Sequence, residues 1–205
     1  MYKKGFTLAE VLITLGVIGV VAAMTMPTVI VNYQKQQTVT KLKKIYSTVA
    51  QAIRSSEIDN DNLEYWEYTL SAENFYKKYL KNYIKSTEAV PQSVIKQRIT
   101  YRYLNGANDA GGLNNNSSYT IKTLDGMFIT IDRWASTGSR GIIFDINGFQ
   151  RPNQTGKDVF WFSITKNGLT YNSTNDCKKT NVGTGYGCAK RIIQNGWQIT
   201  KDYPW

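Results

Sequence analysis

Apolar and polar residues are unevenly distributed along this chain, and the unevenness divides it. From Phe6 to Val31 aliphatic residues run almost unbroken, with Glu10 the only ionisable side chain. That run exceeds the ~20 residues a membrane-spanning helix needs. Beyond it Val39, Leu42, Ile45, Tyr46, Val49 and Ile53 recur three or four residues apart, which places them on one helical face. Lys43, Lys44 and Arg54 turn away from that face. One helix is therefore expected over residues 6–57, transmembrane over 6–31 and amphipathic over 32–57. The polar stretch Asp59-Asn60-Asp61-Asn62 marks the boundary of a globular head over 58–205.

Within the head, Ser71 is placed to N-cap a second helix running to about Lys85. Phe75, Tyr76, Tyr79, Leu80 and Tyr83 fall on one side of it, and Lys77, Lys78, Lys81 and Lys85 on the other. Aromatics interleaved with cations suit a nucleic-acid groove. Here the two sets point apart, as a core face and a solvated face do. After Pro91 the pattern becomes strand-like, with partial alternation from Ile95 to Leu104. Tyr119–Leu124 and Met127–Asp132 flank Asp125-Gly126, a strong hairpin signal. Gly141–Ile146 leads into Asn147-Gly148, and Asp158–Ile164 reaches Leu169–Tyr171 through Asn167-Gly168. Connections this short imply an antiparallel sheet, its apolar face covered by the amphipathic half of the first helix. The fold class is α+β.

Composition narrows the chemistry. The net charge of +10 permits contact with nucleic acid, anionic lipid or acidic surfaces and demands none of them. There is no histidine, which removes Ser-His-Asp and Cys-His catalysis, imidazole metal sites and a histidine base together. Cys177 and Cys188 form neither a CxxC pair nor a four-ligand zinc set. No motif supports a carboxylate or Ser-Lys enzyme, so the chain reads as non-enzymatic.

The N-terminus reads Met1-Tyr2-Lys3-Lys4-Gly5 before the apolar run. An ordinary secretory signal has a shorter apolar core with its small-residue cleavage site behind it. Here the run is long and the small residue, Gly5, stands in front. Cleavage there would keep the apolar helix and expose a new amine on Phe6. That amine would lie four residues from Glu10, ~6 Å along a helix axis. An acid one turn inside a membrane span is costly and is usually paired. A neighbouring subunit displaced along a filament would bring its own amine to this carboxylate, favouring one register of assembly.

Lys3-Lys4-Gly5-Phe6-Thr7-Leu8, with Glu10 and the aliphatic helix after it, resembles the class III signal of type IV prepilins and type II secretion pseudopilins. The resemblance covers about residues 3–31 and implies a leader over 1–5, cleavage after Gly5 by prepilin peptidase, N-methylation of Phe6 and an assembly role for Glu10. It also implies other pilin subunits, an inner-membrane assembly platform and membrane lipid as partners. The head would then lie outside the cytoplasm, on the inner membrane first and in a periplasmic or surface filament after assembly. Lys35, Lys41, Lys43 and Lys44 outnumber Lys3 and Lys4, so positive-inside counting alone leaves orientation ambiguous or reversed. Pro27 falls where pilin helices bend or melt on assembly, and equally where a span would end. Gly16 and Gly19 would allow close helix approach.

Three further features of the head follow. Cys177 and Cys188 bracket a Gly-rich segment and resemble the disulfide-bounded C-terminal loop of pilins, with free buried thiols as the alternative. Asp145-Ile146-Asn147-Gly148, Pro152-Asn153 and Asp158 form an oxygen-rich stretch. Some pseudopilins hold calcium in a head loop; Asp145, Asn147 and Asp158 are the ligands to test, while Asn-Gly and Pro-Asn also make ordinary turns. The tail after Ile192, ending Tyr203-Pro204-Trp205, reads as a short helix and an aromatic plug. The chain is thus expected to be a minor pilin or pseudopilin with no cofactor beyond that candidate calcium. A DNA-binding or adhesive tip pilin is the alternative, suggested by the charge and the 14 tyrosines.

Overall fold

The computed structural model describes residues 5, 7–108, 113, 115–171, 177–178 and 183–205. Phe6, with the leader residues Lys3 and Lys4, lies outside them. The chain divides into two compact units, Met1–Gln37 and Thr38–Trp205, and helix α1 (Leu8–Asp59) contributes to both.

In the first unit, α1 starts at a reciprocal cap. Thr7 donates from its backbone N–H and from Oγ1 to Glu10 Oε2 (2.8 and 2.9 Å), while Glu10 N–H donates back to Thr7 Oγ1 (3.2 Å). This is the Ser/Thr-x-x-Glu capping box, which satisfies otherwise orphaned donors of the first turn. The hydroxyls of Thr14 and Thr25 donate to carbonyls one turn back, at Glu10 and Val21, so neither brings an unpaired polar group into the apolar segment. Helical structure continues through Pro27, where the proline ring removes the donor that the Ala23 carbonyl would otherwise accept. Leu8, Leu12, Ile18 and Met24 are 61–79% exposed. Among the described residues this is the one helix long and apolar enough to cross a membrane.

The second unit is a six-stranded antiparallel sheet in simple sequential order: β1 (Ser86–Val90), β2 (Tyr119–Thr123), β3 (Phe128–Ser136), β4 (Ser139–Asp145), β5 (Val159–Thr165) and β6 (Gly168–Tyr171). On one face Ile121, Ile129, Ile131, Ile142, Phe144, Phe160, Phe162 and Ile164 pack with Leu42, Ile45, Val49 and Ile53 of α1 in a single cluster. The same cluster takes Phe75, Tyr76 and Tyr79 from α2 (Ala72–Tyr79). The α1 stripe read from the sequence is thus the stripe that is buried. The α+β class, with a long N-terminal helix and an antiparallel sheet, is borne out.

Two local readings are corrected, and the sheet's second face adds a core that the sequence pattern did not indicate. Helix α2 ends at Tyr79 rather than near Lys85, because Leu80 and Ile84 are both buried and the chain tightens into turns to place them. Residues 92–98, read in part as strand, form helix α3 (Gln92–Arg98), whose Ile95 and Ile99 bury one turn apart. The sheet's second face is not wholly solvated either. Phe128, Ile143 and Val159 on that face join Val90, Ile95, Ile99 and Tyr101 in a second core. The unbroken apolar runs of β3, β4 and β5 are the signature of strands covered on both sides. Helix α4 (Cys188–Gln194) and buried Tyr203 close the first core, with the Tyr203 hydroxyl donating to the Gly156 carbonyl.

Candidate functional site

The first unit carries Gly5 and Glu10, for which the sequence motif predicts leader cleavage and a part in assembly. Gly5 is exposed and nothing approaches within 4 Å of where a side chain would be. Glu10 is exposed one turn into α1, and its capping bonds both fall on Oε2. Oε1 accepts no hydrogen bond from the described residues, so one carboxylate oxygen caps the helix start while the other is left to solvent or a partner on this exposed side chain. Thr7, which the sequence reading passed over, is what aims Glu10. The Thr-x-x-Glu spacing was the signal for it.

In the head, Cys177 and Cys188 are joined in a disulfide with Cα atoms 4.8 Å apart, both buried. Cys188 is the first residue of α4, so the bond ties the segment before that helix to the core. The intervening Thr180, Asn181 and Val182 lie outside the described residues. Gly156 makes room for this bond: a Cβ there would lie 2.8 Å from Cys188 Sγ, and its φ of +83° is one that glycine adopts freely.

The candidate calcium residues are brought together. Asp145 accepts from Tyr101 Oη–H (2.8 Å) and from the N–H groups of Asn147 (3.1 Å) and Gly148 (2.7 Å). Asp158 accepts from the N–H groups of Asn153 and Gln154, each at 2.6 Å. Every carboxylate oxygen of the pair thus receives a protein donor, and hydrogen bonds hold the β4–β5 connection without calling on an ion. Calcium takes 6–8 oxygen ligands, whereas no group of three or more metal-ligating acids occurs among the described residues. Burial pushes the Asp158 carboxyl up to about 6. Asp145, wholly buried beside Asp158, is raised well above the ordinary carboxylate range, by burial first and then by its neighbour's charge.

The aromatic residues of α2 belong to the core. Phe75, Tyr76 and Tyr79 are at most 3% exposed, and Trp66 stacks on Tyr79 at 4.2 Å between centroids. Lys77 and Lys78 reach Glu73 and Glu67 at 2.8 and 2.6 Å. This helix therefore offers no exposed ring to a base. Arg140, at 1% exposure, was not anticipated from sequence. Its guanidinium donates to the Tyr68 and Leu70 carbonyls (3.2 and 2.6 Å) and lies over the Phe75 ring, anchoring the segment that leads into α2.

Comparison with known proteins gives two matches. A model described as a family of unknown function (DUF6613) matches residues 28–205, and one for the prokaryotic N-terminal methylation motif matches residues 1–26. No curated protein and no solved structure matches. The N-terminal segment is thus a class III signal of the type IV pilin and pseudopilin kind, and with its long apolar helix it suits membrane anchoring. Proteins of that kind are generally structural.

Proposed function

The chain belongs to the family of unknown function (DUF6613) behind a pilin-type methylation motif, and from that premise we propose that it is a non-enzymatic filament subunit, a minor pilin or pseudopilin. Prepilin peptidase removes the leader, residues 1–5, after Gly5, and the new amine of Phe6 is methylated. The apolar part of the helix holds the chain in the inner membrane with the head, 58–205, outside the cytoplasm. The subunit then passes into a type IV pilus or secretion pseudopilus through contacts of that helix with other subunits and the assembly platform.

The observation that carries this reading is Glu10 at the start of the helix's apolar segment, held by Thr7 through Oε2 while Oε1 accepts no hydrogen bond from the described residues. A carboxylate kept in an apolar segment and given one open oxygen calls for a cation. The Phe6 amine of an adjacent subunit supplies one at the depth that register requires. Pro27 lies in the same helix, where the lost hydrogen bond lowers the cost of local bending during extraction from the membrane.

Intact-mass and N-terminal analysis of the protein from its native membrane tests the proposal. A chain that begins at Phe6 and carries one extra methyl group is expected. A chain retaining Met1 through Gly5 in cells with active prepilin peptidase would overturn it.

A further inference from the structure

The sheet face turned away from α1 changes character along its strands. One row across β3, β4 and β5 presents Thr130, Ile143 and Trp161, partners in register, beside the second core. In the next row Gly141 pairs with Ser163, and a Cβ at 141 would lie 3.0 Å from that of Asp132, so the row reads Asp132, Gly141, Ser163. The bare Gly141 lets the Asp132 side chain and the Trp134 carbonyl close over it, and Asp132, Gly141 and Ser163 line an open cleft of about 870 Å³, the size of a small-ligand site.

Aromatic rings form its walls. Trp161 packs against Tyr186 with centroids 4.3 Å apart, and Tyr186 meets Tyr103 edge-on at 5.9 Å. Trp134 stands 56% exposed, unusual for the largest apolar side chain on a strand outside any core. The floor is polar. Asp132 is buried and accepts from the Ser118 hydroxyl, and burial raises its carboxyl above the ordinary range. Arg133 stands beside it at the rim. The Trp161 Nε1–H is buried with no acceptor among the described residues, although buried indole N–H groups usually have one.

We propose that this cleft is a binding site for a neutral saccharide chain. A sugar ring has apolar C–H faces and hydroxyl edges, which match aromatic walls over a floor of acid and hydroxyl with a guanidinium at the rim. The alternatives fit less well. An apolar protein side chain would want a dry floor, where Asp132 and Ser163 lie instead. A single-stranded nucleic acid would stack on the rings but needs phosphate-neutralising cations along its path. Among the described residues the lining holds one cation, Arg133, with the Asp132 carboxyl in the same lining. The site lies on the face opposite α1 and holds whether or not the N-terminus is processed as proposed above.

The test is calorimetric titration of the full-length protein, in a detergent without a sugar headgroup, with chitohexaose, cellohexaose and mannohexaose. A twelve-nucleotide single-stranded DNA serves as the competing ligand. At least one oligosaccharide is expected to bind with a dissociation constant at or below about 1 mM. Trp134→Ala, which removes an exposed ring and leaves both cores intact, is expected to weaken it about fivefold or more. Tyr186→Ala should weaken it similarly. No heat from any of the three sugars at about 10 mM, binding unaffected by Trp134→Ala, or salt-sensitive binding of the DNA alone would each overturn the proposal.

Discussion

Glu10 has two roles in this structure that one set of substitutions separates. Its Oε2 caps the start of α1 through Thr7, and its charge is proposed to pair with the amine of a neighbour. Glu10→Ala removes both. Glu10→Gln keeps an acceptor for the Thr7 N–H and removes only the charge, whereas Thr7→Ala keeps the charge and removes the hydroxyl of the cap. Loss of a cap costs ~0.5–2 kcal/mol, whereas losing one partner of a desolvated charge pair costs ~3–5 kcal/mol. Converted at about 1.4 kcal/mol per tenfold, the capping loss lowers assembly by roughly two- to thirtyfold and the charge loss by roughly two to three and a half powers of ten. The assay is the fraction of chain recovered in filaments over that left in the membrane, in cells with the native assembly machinery. N-terminal mass analysis confirms that each variant is inserted and processed alike. Glu10→Gln and Glu10→Ala are expected to fail together, with Thr7→Ala only mildly reduced. A Glu10→Gln variant assembling as well as wild type would refute the charge argument and leave Glu10 as a helix cap.

Four further outcomes are expected of the head. Replacing Cys177 and Cys188 by serine should cost ~3 kcal/mol from loop entropy, and lower the melting temperature by roughly 6–12 °C; an unchanged melting temperature would show the bond to be idle. Asp158 holds its proton more tightly folded, at about 6, than unfolded, at 3.8. Its contribution is thus fully present below the lower value and lost as pH rises through the higher, worth about 3 kcal/mol. Urea titrations at about pH 4 and about pH 7 should show a loss smaller by that amount for Asp158→Asn than for wild type, since Asp145 and Asp132 are raised as well, and an equal loss in both would contradict it. Gly156→Ala forces a Cβ to 2.8 Å from Cys188 Sγ at φ +83° and should destabilise by about 2–4 kcal/mol in the same titration. Calcium at about 5 mM should move the melting temperature by less than about 1 °C, since a site of millimolar affinity would raise it by about 2–4 °C.

The parts of the fold legible in the sequence are those in which local chemistry and long-range packing agree. Asp125-Gly126 and Asn167-Gly168 announced their turns because glycine takes the positive φ both require, +84° and +91°. The stripe Leu42, Ile45, Val49, Ile53 announced the buried face of α1 because nothing else explains that spacing. Strand β1 was silent. Its Ser86-Thr87-Glu88-Ala89-Val90 is a polar edge with one buried residue, defined by pairing with β2 rather than by any pattern of its own. Helix α3 was misread although Pro91 at its cap and the Ile95–Ile99 spacing pointed to it, because two isoleucines four apart satisfy alternation as well. At the N-terminus Gly5, Phe6 and Glu10 were legible as a linear motif, and so was the Thr7 cap, which went unread. The outward cleft was not legible. Asp132, Gly141 and Ser163 are far apart in sequence, and only strand register makes them a row.

The sequential order of the sheet also governs how the head comes to be folded. Each strand pairs with the one made just before it, and β2–β3, β3–β4 and β5–β6 close over short loops at small entropic cost. The contact with α1 is different. The Tyr46 hydroxyl donates to the Leu169 carbonyl, 123 residues later, and the Tyr46 ring packs on Phe162. The α1 stripe that anchors the core is therefore made before the head and is not fully covered until the last two strands arrive. That distant closure, rather than the hairpins, is expected to limit the folding rate of this head. During the interval, α1 is the surface on which a chaperone or a wrong partner would act.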